Sequence, residues 1–416
     1  MHFGIISPPV PGHLHPFGAL GRELIGRGHR VSLIHMPDLE ERARREGLEY
    51  ISVGRGSHPA GSLPVALAQL SRYQGLAALR FTIRMIAETT EMMLRDGPRA
   101  IGNAGVTALL VDQTEGAGGS IAEYLDLPFV TVCNALALNR EPSLPPAFAD
   151  WSYNDSWFGR ARNRLGYAIS DRFLKPVTTI LNGCRRDWGL RPMATMEETF
   201  SPLAQISQQP KLFDYPRSRL PANFHYAGPL RGPLPAPIPF PWERLDGRPL
   251  IYASLGTLQN NRLPVFRCFA EACADLDVQL VVTHGGGLTE ADVAALPRGP
   301  LVVGYAPQLE VLARARLTIT HAGLNTVLDS LSCGVPAVAI PITYEQPAIA
   351  ERLRYTGAGE IVSFGSLNPG RLREAVRKVL AGESFAANAR RIAESIRTAG
   401  GTKAAADTIV NVTKQK

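Results

Sequence analysis

The sequence predicts an α/β protein made of two domains, each with a parallel β-sheet. Its 416 residues exceed the length that one hydrophobic core usually organises. Apolar strand-like runs alternate with helical patterns, which is typical of parallel sheets with helical crossovers. A Pro-rich stretch divides this alternation into two series. These observations predict domains at 1–228 and 249–416, joined by a linker at 229–248.

The first series begins at the N-terminus. Its elements are, in order, a strand at 3–7, a helix from Pro16 to Gly28, a strand at 29–36, a strand at 108–113, a helix at 118–127 and a strand at 128–136. Two segments with helical spacing, 60–95 and 155–195, interrupt the pattern. We expect them to be insertions that pack around the first sheet.

The Pro-rich stretch at 228–242 favours an extended segment, because proline removes backbone donors and fixes φ. A second series of strand patterns follows it, at 249–259, 278–286, 300–307, 317–323 and 336–342. The repetition of the pattern predicts a second sheet after the linker.

The composition excludes several classes of protein. The net charge of +7 is spread over both halves without basic runs that alternate with aromatics, which argues against nucleic-acid binding. The five cysteines form no C-x-x-C pair, which argues against a zinc site or a disulfide framework and fits a reducing cytoplasm. No apolar run approaches the roughly 18 residues of a spanning helix, and no cleavable signal is recognisable.

Polar side chains gather where the fourth strand of the second series gives way to a helix. His321 ends the strand, and Gly323 lets the backbone come close to a ligand. Asn325 and Thr326 lie in the first helical turn, where free N–H groups favour a phosphate. Asp329 lies on the same helix face, where a carboxylate can accept hydrogen bonds from a ribose diol or complement the helix dipole. The junction therefore suits a nucleotide diphosphate.

A wider set of motifs resembles the donor-binding signature of UDP-dependent glycosyltransferases. The motifs are YAPQ at 305–308, HAGLNTVLD at 321–329, GVP at 334–336 and EQ at 345–346. Tyr305 and Leu324 replace two tryptophans of the family signature, Asp329 replaces Glu and Glu345 replaces Asp. The resemblance implies the GT-B architecture, in which two Rossmann-like domains face a cleft, and a UDP-sugar co-substrate without a cofactor or metal.

Carried onto this sequence, the resemblance also implies roles for individual residues. Tyr305 would stack on the uracil and Gln308 would contact the base. The diphosphate would be held by His321, Asn325 and Thr326, the ribose by Asp329, and the sugar hydroxyls by Glu345 and Gln346. Gly256 and Thr257, after the first strand of the second series, would approach the phosphates from the opposite side, although their sequence taken by itself favours a plain tight turn.

The first domain would supply the base. A G-H-x-x-P motif follows the first strand, and the resemblance assigns its His13 as the general base of inverting transfer, with His15 as a packing or capping group. Asp112, at the end of its strand, would stabilise the imidazolium that forms. Alternatively, Asp112 is a helix N-cap, a position that Thr114 or Glu115 can also fill.

Stretches outside the donor signature indicate the acceptor. Residues 111–146 and 200–208 resemble the family members that glucosylate the terminal hydroxyls of carotenoid diols such as zeaxanthin. This implies UDP-glucose as donor, a greasy acceptor and peripheral docking at the inner face of the membrane, with Arg72, Arg80 and Arg84 facing head groups or only solvent.

Other functions stay open at this point. One is the same chemistry on another apolar alcohol, such as a polyketide, flavonoid or sterol, with a different nucleotide sugar. Another is a nucleotide-sugar-binding protein without transfer activity, which the presence of both His13 and Asp112 disfavours. A nicotinamide dehydrogenase is disfavoured because the first strand is not followed by G-x-G-x-x-G.

Overall fold

The structure, a computed structural model, describes residues 1–70, 72–73, 75–233, 237–257, 259–297 and 299–414. Residues 234–236 of the predicted linker and the last two residues of the chain lie outside this range. The described residues form two parallel sheets, each covered by helices on both faces.

The first domain contains a seven-stranded parallel sheet. Its strands are β1 His2–Ile6, β2 Arg30–His35, β3 Glu49–Ser52, β4 Ala108–Asp112, β5 Phe129–Cys133, β6 Gln205–Ser207 and β7 Phe224–Tyr226, ordered β3-β2-β1-β4-β5-β6-β7. The central strands β1 and β4 are buried along their whole length. Burial on both faces explains why they are continuous apolar runs instead of alternating patterns.

Six α-helices surround this sheet. They are α1 Pro11–Gly26, α2 Glu40–Arg45, α3 Ser62–Leu70, α4 Gly75–Asn103, α5 Gly116–Tyr124 and α6 Trp157–Asp187. Helices α3, α4 and α6 are the predicted insertions. In α4, Met92 and Met93 are buried in the core of the domain. The predicted start of α1 at Pro16 is wrong, because the helix begins at Pro11, whose missing N–H costs nothing in a first turn.

The second domain contains a six-stranded parallel sheet. Its strands are β8 Leu250–Ser254, β9 Gln279–Thr283, β10 Leu301–Val303, β11 Ala315–Thr320, β12 Ala337–Ala339 and β13 Gly359–Ile361, ordered β10-β9-β8-β11-β12-β13. The helices are α7 Leu263–Cys273, α8 Glu290–Ala294, α9 Gln308–Leu312, α10 Leu324–Ser332, α11 Gln346–Tyr355, α12 Pro369–Ala381, α13 Glu383–Ala399 and α14 Gly401–Lys414. The strand order reverses beside β8 and β11, the kind of position where ligands bind in such sheets.

The C-terminal helix α14 packs on α1 of the first domain. Ala405, Ala406 and Ile409 belong to the same apolar core as Phe3 and Leu20. The chain therefore crosses between the domains twice, once through the linker and once at the start of α14. No helix in the described part of the chain combines the length and apolarity needed to cross a bilayer.

Candidate active site

The partly buried His13 and the fully buried Asp112 form a pair at the carboxyl edge of the first sheet. His13 lies in the first turn of α1, directly after β1, and Asp112 ends the neighbouring strand β4. The His13 Nδ1 atom lies 2.8 Å from Asp112 Oδ2, within hydrogen-bonding distance. Because the carboxylate accepts a hydrogen bond from Nδ1–H, the opposite ring nitrogen, Nε2, is the one that can take a proton from a substrate.

The Asp112 carboxylate is satisfied on both oxygens. Oδ2 also accepts from Asn134 Nδ2 at 2.9 Å, and Oδ1 accepts from the Thr114 backbone N–H and hydroxyl at 3.0 and 2.7 Å. These bonds fix the carboxylate against the imidazole. The N-cap alternative for Asp112 is wrong, because the N-cap of α5 is Glu115; the bonds of Asp112 to Thr114 belong to the turn before that helix.

The charges of this pair shift both pKa values. Burial lowers the pKa of His13, but the Asp112 carboxylate outweighs this effect and raises it to about 9. Burial opposes ionisation of Asp112, and the facing imidazolium and hydrogen bonds still hold its pKa below the usual value. The pair thus stabilises a protonated imidazole, which a base that removes a hydroxyl proton requires.

His15 points away from this pair. Its Nδ1 atom lies 3.5 Å from Glu46 Oε1 and 2.9 Å from an Arg42 nitrogen, and its side chain is about half exposed. The ring therefore belongs to an ion-pair cluster between α1 and α2. The structure therefore distinguishes His13, which contacts Asp112, from His15, which contacts Glu46 and Arg42. Their spacing in the sequence alone did not distinguish them.

Two glycines surround the imidazole of His321 at the end of β11. A Cβ atom added to Gly323 would lie 2.5 Å from His321 Nε2, and one added to Gly256 would lie 2.7 Å from Cε1. Gly256 also has φ of +68°, which disfavours other residues. Burial lowers the pKa of His321 to about 4, so this imidazole is neutral at physiological pH.

The loops beside these residues have strained backbones. Ala322 and Tyr344 are non-glycine residues with φ of +65° and +56°. Ala322 separates His321 from the start of α10, and Tyr344 directly precedes Glu345. Left-handed backbone at such residues persists only where the surroundings enforce it, and it concentrates at functional sites.

Asn325, in the first turn of α10, joins the two domains. Its Nδ2 donates to the Gly12 carbonyl oxygen at 2.8 Å, and its Oδ1 accepts from Gln208 Nε2 at 3.1 Å. Gly12 is free to accept because the residue four positions later is Pro16, which has no N–H to close the α-helical bond. The proline of the G-H-x-x-P motif thus leaves a carbonyl beside His13 for the second domain.

Asp329, one turn further along α10, is buried between two donors. Its Oδ2 accepts from Gln308 Nε2 at 2.6 Å, and its Oδ1 pairs with Arg231 Nε at 2.6 Å. Gln308 in turn accepts from the Tyr252 hydroxyl at 3.0 Å. Gln308 therefore orients Asp329 in this structure.

The remaining signature residues lie around the same edge. Tyr305 is 59% exposed, and its hydroxyl donates to the Gly285 carbonyl at 2.9 Å. Thr257 is exposed after β8, and Thr326 is buried in the first turn of α10. Gln346 uses its Oε1 to accept from the backbone N–H groups of Ile342 and Thr343. Burial raises the pKa of Glu345 to about 7.

Three residues of the cleft were missed by the reasoning from sequence: Asn134, Gln208 and Arg231. Asn134 and Gln208 each follow the end of a strand, β5 and β6, so the rule that ligands bind beyond strand ends could have found them. Arg231 lies in the linker, where no periodicity or motif marks it. Among the described residues, no group of three or more His, Cys, Asp or Glu side chains is arranged to hold a metal ion.

The fold and the site together define a glycosyltransferase of the GT-B architecture. The family model described as UDP-glucoronosyl and UDP-glucosyl transferase matches residues 98–397, and the chain belongs to this family. Among its relatives, the zeaxanthin glucosyltransferase of Pantoea ananas is 37% identical, over 99% of this chain and 96% of that protein. The zeaxanthin glucosyltransferase of Pseudescherichia vulneris is 35% identical, over 98% of this chain and 97% of that protein.

Solved structures agree on the fold. The calicheamicin glycosyltransferase CalG4 superposes with a TM-score of 0.77, covering 100% of this chain and 98% of that chain at 23% identity. The predicted fold class and family are therefore confirmed.

Proposed function

We propose that the protein transfers glucose from UDP-glucose to a terminal hydroxyl of a hydroxylated carotenoid such as zeaxanthin, with inversion at the anomeric carbon. The observation that carries this proposal is the contact between Asn325 and Gly12, at 2.8 Å. It brings the donor-signature helix of one domain against the residue that precedes His13 in the other. A sugar held at that helix would face the imidazole.

The proposed step is a direct displacement. His13 Nε2 removes the proton from the acceptor hydroxyl, and the oxygen forms a bond to the anomeric carbon as that carbon's bond to the diphosphate breaks. UDP leaves with the electron pair of the broken bond. Asp112 stabilises the imidazolium that results, and the N-terminus of α10 stabilises the charge that grows on the diphosphate.

The donor would be held by the second domain. Tyr305, with its exposed ring, would stack on the uracil, and Asp329 would accept hydrogen bonds from the ribose diol. His321, Asn325 and Thr326 would hold the diphosphate together with Gly256, Thr257 and the close-approaching Gly323. Glu345 and Gln346 would contact the glucose hydroxyls, and Gln308 would contact the base while it also holds Asp329, its hydrogen-bond partner at 2.6 Å.

The carotenoid acceptor is supported by the names of the two relatives at 37% and 35% identity, which extend over nearly the whole chain. In this family the donor signature is shared by enzymes with many acceptors. The similarity to the two zeaxanthin glucosyltransferases also covers the first domain, which would bind the acceptor. This part of the similarity therefore supports a carotenoid acceptor.

Contact with the inner face of a membrane would deliver such an acceptor. Large apolar side chains are exposed on α3, on the start of α4 and on the start of α6: Val65, Leu76, Leu79, Trp157, Phe158 and Leu165. Arg80 and Arg84 are exposed on α4. Apolar side chains beside basic ones suit an anionic lipid surface.

Flotation with vesicles tests this contact. We expect the protein to float with vesicles that contain anionic phospholipid, and Trp157→Ser/Phe158→Ser to reduce the floated fraction severalfold. A double variant that floats as well as the wild type would contradict the proposed surface.

Incubation with UDP-glucose and zeaxanthin tests the function itself. We expect mass analysis to find products with one or two added hexoses, and NMR of the product to show the β-anomer. A panel of polyketide, flavonoid and sterol alcohols, and of other nucleotide sugars, serves as the comparison. Faster transfer to another alcohol, or from another nucleotide sugar, would show that zeaxanthin or UDP-glucose is not the preferred substrate. Binding of UDP without any transfer would indicate a nucleotide-sugar-binding protein instead of an enzyme.

A further inference from the structure

Arg231, in the linker, places its guanidinium group inside the cleft. Its Nε donates to Asp329 Oδ1 at 2.6 Å, and its Nη2 lies 3.2 Å from Asn325 Oδ1 and 3.3 Å from the Asn325 carbonyl oxygen. Its Nη1 donates to Gln208 Oε1 at 3.3 Å. One side chain thus contacts the donor-signature helix α10 and the first domain at once.

The backbone of Arg231 is fixed while its side chain stays accessible. The preceding Leu230 is fully buried, and the Arg231 carbonyl accepts from the Thr402 hydroxyl, at the start of α14, at 2.6 Å. The side chain is 25% exposed. An anchored backbone with an accessible guanidinium is suited to binding a ligand in the cleft.

The charges around α10 leave a role for this cation. A nucleotide diphosphate is an anion, and the N-terminus of a helix offers it only about half of a positive charge. His321 adds a hydrogen-bond donor but no charge, because its pKa is lowered to about 4. Arg231 brings several N–H groups to the same helix, and its positive charge, which pairs with the Asp329 carboxylate in this structure, becomes available to a diphosphate when the guanidinium turns.

We propose that Arg231 is a further donor-binding residue, whose guanidinium binds the diphosphate of the nucleotide sugar. The inference rests on the proposed function and extends it. Arginine can match phosphate oxygens with paired N–H groups, and in this structure one N–H of Arg231 already donates to the Asp329 carboxylate. When the guanidinium turns to the phosphates, the Asp329 carboxylate becomes available to the ribose diol. The linker then takes part in donor binding and does more than connect the domains.

Comparing UDP with uridine tests this role, because uridine lacks the diphosphate. Binding is measured by isothermal titration calorimetry, or by ligand-observed NMR for weak binding, for the wild type, Arg231→Gln and Arg231→Lys. Arg248→Gln is the matched control, since Arg248 lies in an exposed ion pair with Asp246. Thermal unfolding checks that each variant is folded.

We expect Arg231→Gln to weaken UDP binding by about 10- to 100-fold, as expected for losing a charge-assisted bond, and to leave uridine binding within about threefold. Arg231→Lys keeps the positive charge but loses the paired N–H groups, so its affinity for UDP should lie between those of the wild type and Arg231→Gln. Equal losses for UDP and uridine, or unchanged UDP binding, would overturn the role of Arg231. A wild-type protein that bound no UDP would instead contradict the donor assignment.

Discussion

His13 and Asp112 show how two distant residues become one chemical group. They are far apart in sequence, but strands β1 and β4 are neighbours in the sheet. His13 follows the carboxyl end of β1, and Asp112 is the last residue of β4. Asn134, from the next strand, and Thr114 complete the hydrogen bonding of the carboxylate. The basicity of the His13 imidazole therefore depends on the sheet order as much as on the motif.

Substituting Asp112 should change the pH dependence of transfer. In the wild type the pKa of His13 is raised to about 9, so the neutral imidazole becomes more abundant, and kcat/KM should rise, from pH 7 to about pH 9. In Asp112→Asn the carboxylate charge is lost and burial lowers the pKa. The rising limb should then move to lower pH, while the plateau should fall by about 100- to 10,000-fold.

The measurement is a pH profile of kcat/KM for both proteins. His15→Gln is the control, because the half-exposed His15 contacts Glu46 and not the pair of His13 and Asp112. It should keep the wild-type profile. An Asp112→Asn profile with its rising limb at the wild-type pH would show that Asp112 does not set the basicity of His13.

Individual site residues could be predicted from the sequence only where they belong to a motif or follow the end of a strand. His13, Asp112 and the α10 residues come together at the predicted edges. The partners of Asp329 could not be predicted, because Arg231 reaches it from the linker, where the fold alone decides the direction of the chain. Tertiary contacts between segments distant in sequence leave no local pattern.

At the scale of elements, the junction between β11 and α10 depends on close packing around one imidazole. Gly256, from the end of β8, and Gly323 lie on either side of His321 and leave no room for a Cβ. The left-handed Ala322 lies between His321 and the first turn of α10. These features fix the backbone N–H groups that would face a diphosphate.

Gly323→Ala should disturb this junction. The added methyl would lie 2.5 Å from His321 Nε2, so the imidazole or the start of α10 must move. We expect UDP binding, measured by calorimetry, to weaken at least about tenfold, since displaced groups lose hydrogen bonds. Gly365→Ala is the control, because a Cβ there meets no atom within 4 Å. Wild-type affinity in Gly323→Ala would show that the packing is not required.

The long strands were predictable, and so were the short strands β10 and β12, whereas the other short strands were not. Strands β1, β2, β4, β5, β8 and β11 are buried apolar runs and lie where the sequence predicts them. Strands β3, β6, β7 and β13 have three or four residues each and were not predicted. Three or four residues carry little periodicity, so a strand this short was predicted only within a longer apolar segment, as at 300–307 and 336–342.

At the scale of the whole molecule, several contacts join the domains beside the cleft. Asp214 of the first domain, bonded to Arg217 at 2.7 Å, lies 3.4 Å from Arg352 of α11, and these charges are almost fully buried. Phe213 packs in one apolar cluster with Leu324 and Ile392 of the second domain. These contacts hold the two halves of the site at a fixed spacing.

We propose that a base on the first domain deprotonates an acceptor hydroxyl, which then attacks a sugar held by the second domain. His13→Ala separates these functions, because it removes the base and leaves the donor-signature residues intact. Transfer from UDP-glucose and UDP affinity should be measured on the same preparation. We predict that turnover falls by about 100- to 10,000-fold while the Kd for UDP stays within about threefold of wild type. Turnover at the wild-type rate in His13→Ala would contradict the account.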